Sequence, residues 1–202
     1  MMKLYKLMAV LVVGLALMPP TLWAKNSDAV SADDAAAEEK ARSFFTDLEV
    51  IDQNGQKLRF YSDVLKGRVV LISFIFTSCQ DACPLIAQKL IQTRKLMVES
   101  IRDDVWYISL SVDSENDSPE DLKEFAKKQG ADESRWIFLT GDKKNIDTII
   151  SRLGQYAADI NAHSTLMLAG NAITRHWIRV VPMTQAGGVA EQMRQLANET
   201  PR

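Results

Sequence analysis

The sequence predicts an α/β domain in which a central mixed sheet is flanked by helices. Two continuously apolar segments, VVLISFIF at 69–76 and VWYISLSV at 105–112, have the composition of strands that are buried on both faces. Between them, LIAQKLIQTRKLMV at 85–98 places apolar residues at helical spacing. Strand, helix and strand in this order form a βαβ unit, which requires a parallel pair of strands in the sheet.

The remaining elements follow from local signals. The segment LEVIDQNGQKLRF alternates around Asn54-Gly55 and predicts an N-terminal β-hairpin. The central helix is predicted to start at Pro84, and a second helix to run from the N-cap Ser118 to Gly130. We also expect a short strand at 136–139, a helix at about 143–153, strands near 164–169 and 172–181, and a last helix at about 189–198. This order is typical of an α/β sandwich of thioredoxin type with an added N-terminal hairpin.

Composition excludes several classes of protein. The chain has 202 residues, 47% of them hydrophobic and 25% charged, as expected for one globular domain with additional segments. The formal net charge is −2 and the basic residues are dispersed, which argues against nucleic-acid binding. Since the sequence has no long apolar heptads, we expect a monomer.

Residues 1–24 have the features of a secretory signal peptide. Two lysines precede an apolar run from Leu7 to Met18, and the small residue Ala24 ends the segment. We expect cleavage after Ala24, with an uncleaved membrane anchor as the alternative. Either outcome exports the rest of the chain, and we expect it in a bacterial periplasm, tethered to the inner membrane if the segment is retained.

The region after the signal peptide is rich in Ala, Asp and Glu. NSDAVSADDAAAEEKAR, residues 26–42, has no apolar stripe beyond small side chains. We therefore predict a flexible linker over 25–43, with a frayed helix as the alternative. The thioredoxin-like domain is predicted over 44–202.

Cys79 and Cys83 are the only cysteines, separated by three residues, and they lie where the first buried strand passes into a helix. Open α/β sheets place their ligand sites at such carboxyl ends of strands. Because Cys83 precedes a proline, we expect it beside the helix N-cap, where backbone N–H groups favour its thiolate. A structural disulfide, a redox pair and a metal site all remain open, although a disulfide loop this short would contribute only about 2 kcal/mol of stability.

His163 is the candidate third ligand. In a thioredoxin-type topology, the loop that enters the late strand after NAHS faces the cysteine-bearing turn, so His163 could complete a Cys2His site. The alternative is an ordinary hydrogen-bonded histidine. Two thiolates and an imidazole favour Cu(I), with zinc as competitor. The other histidine, His176, is separated from His163 by twelve intervening residues, unlike the histidine pair of a zinc finger. Three ligands with an open position suit a protein that accepts and releases metal.

FTSCQDACP at 76–84, VDSENDSPEDL at 112–122 and NAHSTLML at 161–168 are three segments that resemble the Sco/SenC family of copper chaperones. FTSCQDACP is similar to the family's TxCxxxCP signature, including Asp81. VDSENDSPEDL resembles its Asp-rich stretch before a helix, with Asp113 and Asp117 in the expected places. NAHSTLML resembles its His-Ser pair at the start of a strand. The resemblance extends over roughly residues 46–197.

The resemblance implies a thioredoxin-like fold and copper, as Cu(I) or Cu(II), bound by Cys79, Cys83 and His163. It also implies delivery of the copper to the copper site of cytochrome c oxidase subunit II. Family members commonly have Asp where this chain has Ala162, which leaves another cuproprotein open as the acceptor. Some members are instead thought to reduce the disulfide of that site.

These observations lead to a two-state hypothesis and one competitor. In the hypothesis, reduced Cys79 and Cys83 bind copper with His163, and oxidation to the Cys79–Cys83 disulfide releases it until a periplasmic thiol reductant restores the pair. We thus expect a metallochaperone rather than an enzyme. The competing hypothesis is a metal-independent thiol-disulfide oxidoreductase. Residues assigned to support or folding are Ser164, Asp81, Asp113 and Asp117, and Tyr156 and Trp177 are predicted to lie in the core.

Overall fold

The computed structural model describes residues 32–97, 101, 104–159 and 165–200. The predicted signal peptide at 1–24 lies outside the described residues, and so do Ala162, His163 and Ser164. Within the described part, no helix has the length and apolar character needed to cross a membrane.

The described residues form one sheet with helices on both faces. The strands are β1 (Glu49–Asp52), β2 (Lys57–Arg59), β3 (Val69–Ile75), β4 (Val105–Ser111), β5 (Trp136–Thr140), β6 (Met167–Asn171) and β7 (His176–Val180). The helices are α1 (Ala32–Phe45), α2 (Ala82–Leu96), α3 (Pro119–Gln129), α4 (Lys143–Arg152) and α5 (Ala186–Ala197), and a π-helix spans Phe60–Leu65.

The sheet is mixed, as predicted. Its strand order is β2-β1-β5-β4-β3-β6-β7. Strands β3, β4 and β5 are parallel, whereas β6 pairs antiparallel with β3 and β7 antiparallel with β6. The predicted N-terminal hairpin is confirmed as β1 and β2, and it joins the sheet through antiparallel pairing of β1 with β5.

Strand β3 is buried along its whole length and contributes to two hydrophobic cores. On one face, Leu71 and Ile75 pack with apolar residues of α2, α3 and α5. On the other face, Val70, Ile72 and Phe74 pack with α4 and the end of α1. This arrangement explains why the strand is continuously apolar rather than alternating.

Helix α3 has the ends that the sequence predicts. Ser118 and Asp121 form a capping box, in which the Ser118 hydroxyl accepts from the Asp121 N–H at 3.2 Å and the Asp121 carboxylate accepts from the Ser118 N–H at 3.0 Å. Gly130 ends the helix in the left-handed conformation, with φ 71°. The cap matters for the site because Ser118 directly follows Asp117.

The flexible-linker prediction is wrong for residues 32–43, which belong to helix α1. Ala and Glu are strong helix formers, and the helix has acidic residues in its first turn and Arg42 in its last. Two ion pairs of Glu38, with Arg42 at 3.2 Å and Lys66 at 2.5 Å, and the buried Phe45 stabilise α1 and attach it to the domain. The frayed-helix alternative was nearer to the structure, although α1 is packed rather than frayed.

The two aromatic residues predicted for the core have different environments. Trp177 packs against the second core, with its ring centroid 4.7 Å from that of Phe45. Tyr156 is 55% exposed, so its prediction is wrong. It follows α4 in the segment that connects this helix to the rest of the chain. In the β6–β7 pair, Trp177 lies opposite Gly170, and a Cβ on Gly170 would be 2.3 Å from the Trp177 ring.

We expect Gly170→Ala to destabilise the fold by about 1–3 kcal/mol, because the added methyl group displaces the Trp177 ring. Gly187→Ala is the control, since Gly187 lies in α5 and a Cβ added there would have nothing within 4 Å. The control is expected to change stability by less than about 1 kcal/mol, in the stabilising direction. Urea unfolding of both variants measures the difference, and equal effects would contradict the packing argument.

Candidate metal and redox site

Cys79 lies in the turn that joins β3 to α2, as predicted. The strand ends at Ile75 and the helix begins at Ala82. The Cys79 N–H donates to the Phe76 carbonyl at 3.2 Å, which closes the turn. The site is therefore at the carboxyl end of a central strand, and its side chains are positioned by the sheet on one side and a helix on the other.

Cys83 lies inside the first turn of α2, which differs from the prediction. The helix begins at Ala82 with Asp81 as N-cap residue, rather than at Pro84. A proline is tolerated here because the N–H groups of a first helical turn have no partner within the helix. The Cys83 side chain is 0% exposed and belongs to the core between α2 and the sheet.

The helix start acts on the sulfur of Cys79. The Cys83 N–H donates to the Cys79 Sγ across 3.4 Å. Partial burial raises the pKa of the Cys79 thiol, but hydrogen bonds from Cys83 and from the backbone N–H groups of Asp81 and Ala82 outweigh it, so the pKa is lowered overall. The half-buried Cys79 is thus the cysteine whose thiolate is favoured.

Cys83 has the opposite environment, so the prediction that its own thiolate is favoured is wrong. Burial, together with its hydrogen bond to Cys79, raises the pKa of the Cys83 thiol to about 12. The Cys83 sulfur lies in the core, whereas the Cys83 N–H points away from the core and donates to the sulfur of the preceding Cys79. Both cysteines are free thiols in this structure.

A buried carboxylate lies behind the cysteine-bearing turn. Asp117 is 3% exposed, and its carboxylate accepts from the Thr77 hydroxyl at 2.5 Å, the Thr77 N–H at 3.2 Å and the Ser111 hydroxyl at 2.6 Å. Burial raises the pKa of Asp117, while the hydrogen bonds from Ser111 and Thr77 oppose that rise. Asp117 thus connects the ends of β3 and β4. The sequence alone indicated only that an Asp precedes the N-cap residue Ser118, and it gave no sign of this connection.

The other predicted support residues have smaller roles among the described residues. Asp81 is the N-cap of α2 but forms no side-chain capping bond. Asp113 accepts from the Asn116 side chain at 2.8 Å. Neither carboxylate joins the cysteines in a cluster: in the described parts of the chain, no group of three or more His, Cys, Asp and Glu side chains could hold a metal.

The third predicted ligand, His163, lies outside the described residues, so its place relative to the cysteines stays a prediction. The other histidine is far from the site. His176 begins β7 and pairs with Asn171, which in turn pairs with the first residue of β3. It is therefore about 20 Å along the sheet from the end of β3. Its Nδ1 lies 2.5 Å from the Glu199 carboxylate.

The SCO1/SenC family model matches residues 36–201. The chain belongs to the SCO1/SenC family. The match covers the whole sheet and begins within α1, which places most of this helix in the family's domain and agrees with its packing against the core.

Two relatives show how far the sequence likeness extends. An SCO2-like protein of Rickettsia felis is 34% identical over 115 residues, 57% of this chain and 53% of that protein. The SCO1 protein homolog of Bacillus subtilis is 44% identical over 91 residues, 45% of each chain. The chain thus spans about half the length of the curated relatives that it matches.

Solved structures of the family have the same fold. Bradyrhizobium japonicum ScoI with copper bound superposes with a TM-score of 0.61 at 24% identity, covering 73% of this chain and 96% of that one. BsSco is a member of the Sco family of cytochrome c oxidase assembly proteins in which a disulfide switch was identified. Its structure superposes with a TM-score of 0.61 at 25% identity, covering 76% of this chain and 92% of that one. The predicted thioredoxin-like fold is confirmed.

We expect Cys79 to react with iodoacetamide at a lower pH than an ordinary thiol. The thiolate is the reacting form, so the lowered pKa of Cys79 moves the midpoint of the rate below that of an ordinary cysteine, while the buried Cys83 stays unmodified. Mass spectrometry with fragmentation distinguishes the two positions. In denaturant both cysteines should react alike, and faster modification of Cys83 in the folded protein would contradict the assignment.

Proposed function

We propose that this protein is a copper chaperone in which reduced Cys79 and Cys83, together with His163, bind copper for transfer to another protein. The observation that carries the proposal is the pair of free thiols at the β3–α2 junction, with the Cys83 N–H against the Cys79 sulfur. Membership of the SCO1/SenC family and the copper-bound ScoI structure of Bradyrhizobium japonicum support it.

The two sulfurs suit a soft metal cargo. Thiolates favour Cu(I) over hard cations, and a neutral imidazole is an acceptable third ligand for Cu(I) or Cu(II). Cys79 is half-buried, so the metal can enter and leave on its side, whereas Cys83 offers its sulfur from the core. Because the pKa of Cys83 is raised to about 12, binding copper as a thiolate must displace its proton, and affinity should increase with pH.

Release by oxidation follows from the same pair. Formation of the Cys79–Cys83 disulfide from the copper-bound dithiolate removes two electrons, the thiol protons having left when the metal bound, and leaves neither sulfur as a thiolate ligand. The electrons pass to a protein disulfide of the oxidising compartment, which takes up two protons from water and becomes two thiols, and a periplasmic thiol reductant later reverses the step. The disulfide switch of BsSco supports this part of the proposal.

The proposed acceptor is the copper site of cytochrome c oxidase subunit II, with another cuproprotein as the alternative. The description of BsSco as a member of a family of cytochrome c oxidase assembly proteins supports the first of these. We further propose that the protein acts in the periplasm as a monomer. The signal-peptide features of residues 1–24 support this location.

A metal-independent thiol-disulfide oxidoreductase is the second candidate. The observation that favours it is the lowered pKa of Cys79 at the start of α2, which makes that thiol a nucleophile without any metal. Such an enzyme needs both cysteines but has no use for His163. The two candidates therefore differ in what the histidine contributes.

Copper titration of the reduced protein under anaerobic conditions separates the candidates. We expect one Cu(I) per chain, and His163→Ala should weaken the affinity at least about tenfold because it removes a ligand. His176→Ala is the matched control, since His176 bonds to Glu199 at the far end of the sheet. Replacing Cys79 and Cys83 together by Ser should abolish binding.

The same titration has a contradicting outcome. If His163→Ala binds Cu(I) as tightly as the unchanged protein and as His176→Ala, the three-ligand site is wrong. Retention of disulfide reductase activity in His163→Ala, together with weak copper binding in all forms, would establish the oxidoreductase instead.

Export can be tested by expressing the full chain in a bacterium and sequencing the N-terminus of the periplasmic product. We expect the mature protein to begin at Lys25. Leu11→Arg should block export, because a charge interrupts the apolar run. A full-length product in the membrane fraction would identify an uncleaved anchor, and an unprocessed product in the cytoplasm would contradict export.

A further inference from the structure

Asp117 is fixed on every side. Its backbone N–H donates to the Asp113 carbonyl at 2.9 Å, and its carbonyl accepts from the Thr140 hydroxyl at 2.9 Å. Its carboxylate accepts hydrogen bonds from the Ser111 hydroxyl and from the N–H and the hydroxyl of Thr77. A side chain held in this way is a rigid support for whatever it contacts, because its own position depends on three separate segments of the chain.

Pairing of the strands does not require this carboxylate. Strands β3 and β4 are already joined along seven residue pairs, from Val69 with Val105 to Ile75 with Ser111. Among the described residues Asp117 has no cationic partner, and burying a carboxylate without one is costly. What the carboxylate adds lies beyond the end of the ladder, at Thr77.

Thr77 is the point through which Asp117 acts on the cysteines. It is two residues before Cys79, and both its N–H and its hydroxyl are bound to the carboxylate. With Thr77 fixed and the Cys79 N–H bound to the Phe76 carbonyl, the turn has little freedom. The Cys79 sulfur is thereby held against the first N–H groups of α2, where the Cys83 N–H reaches it.

We propose that Asp117 is a positioning residue that sets the reduction potential of the Cys79–Cys83 pair by holding the turn in its dithiol geometry. This inference rests on the redox part of the proposed function. Reduction of the disulfide takes up two electrons and two protons and breaks the S–S bond. The hydrogen bonds at the helix start stabilise the reduced product, whereas the disulfide must move the Cys79 sulfur toward that of Cys83. A rigid turn therefore raises the reduction potential, and a loosened turn lowers it.

The test measures the thiol-disulfide equilibrium of the copper-free protein in dithiothreitol redox buffers. We expect Asp117→Ala to shift the equilibrium constant toward the disulfide by about tenfold, which is about 30 mV for a two-electron couple. Asp117→Asn keeps the side-chain size and one acceptor oxygen for Thr77, so it should restore much of the unchanged value. Thr77→Val keeps the Asp117 carboxylate but loses the hydrogen bond from the Thr77 hydroxyl. It should therefore shift the equilibrium toward the disulfide, as Asp117→Ala does.

Ser109→Ala is the matched control for stability. Ser109 is a buried polar residue of β4, two residues before Ser111, and it is bonded to Ser73 and Trp136 but not to the cysteine-bearing turn. It should lower the free energy of unfolding without changing the equilibrium between dithiol and disulfide. If Asp117→Ala fails to fold, Thr77→Val carries the comparison.

Two results would overturn the proposal. An Asp117→Ala protein that is less stable but has an unchanged potential would show a purely structural residue. Equal shifts of Asp117→Ala and Asp117→Asn toward a more positive potential would show that the charge, rather than the positioning, acts on the cysteines. Copper titration of the unchanged protein is a separate measurement, so its failure would reject the chaperone function and leave the redox result standing.

Discussion

The burial of β3 on both faces is the constraint on which the rest of the structure depends. Both faces of β3 are covered by apolar residues, so the chain can reverse direction only after the last residue of the strand. It then forms α2, which packs on one face of the sheet. The turn between them, residues 76–81, is therefore short, and it is held between the end of the strand and the start of the helix. Cys79 occupies that turn and Cys83 the first turn of the helix, so the sheet's packing determines the environment of both sulfurs.

The two cysteines show how one helix start can have opposite effects on neighbouring thiols. The N–H groups of residues 81–83 point away from the core, toward Cys79, and offset the cost of its partial burial. Cys83 supplies one of those N–H groups, but its own sulfur points into the core, where desolvation dominates. Proximity to a helix N-terminus is thus insufficient to predict a reactive thiol. The direction of the side chain decides it.

Most of the fold could be predicted because its signals are local. Apolar runs identify β3 and β4, Asn54-Gly55 identifies the hairpin, and Ser118 and Gly130 mark the ends of α3. Helix α1 was missed because its side chains are small and its attachment depends on Phe45 and on an ion pair with Lys66. The role of Asp117 was also missed because it depends on a distant contact, since its partner Thr77 is 40 residues away in the sequence. Contacts of this range follow from packing and have no local pattern.

The complete burial of Cys83 has a consequence for the exchange chemistry of the disulfide. As long as Cys83 stays buried, an external thiol can attack only the sulfur of Cys79 and form a mixed disulfide there. The leaving group is then Cys83, whose pKa of about 12 makes it a poor one. Small thiols such as glutathione should therefore open the disulfide slowly. A partner that displaces the start of α2 would remove this barrier, so the packing of one helical turn can discriminate between a specific reductant and the general thiol pool.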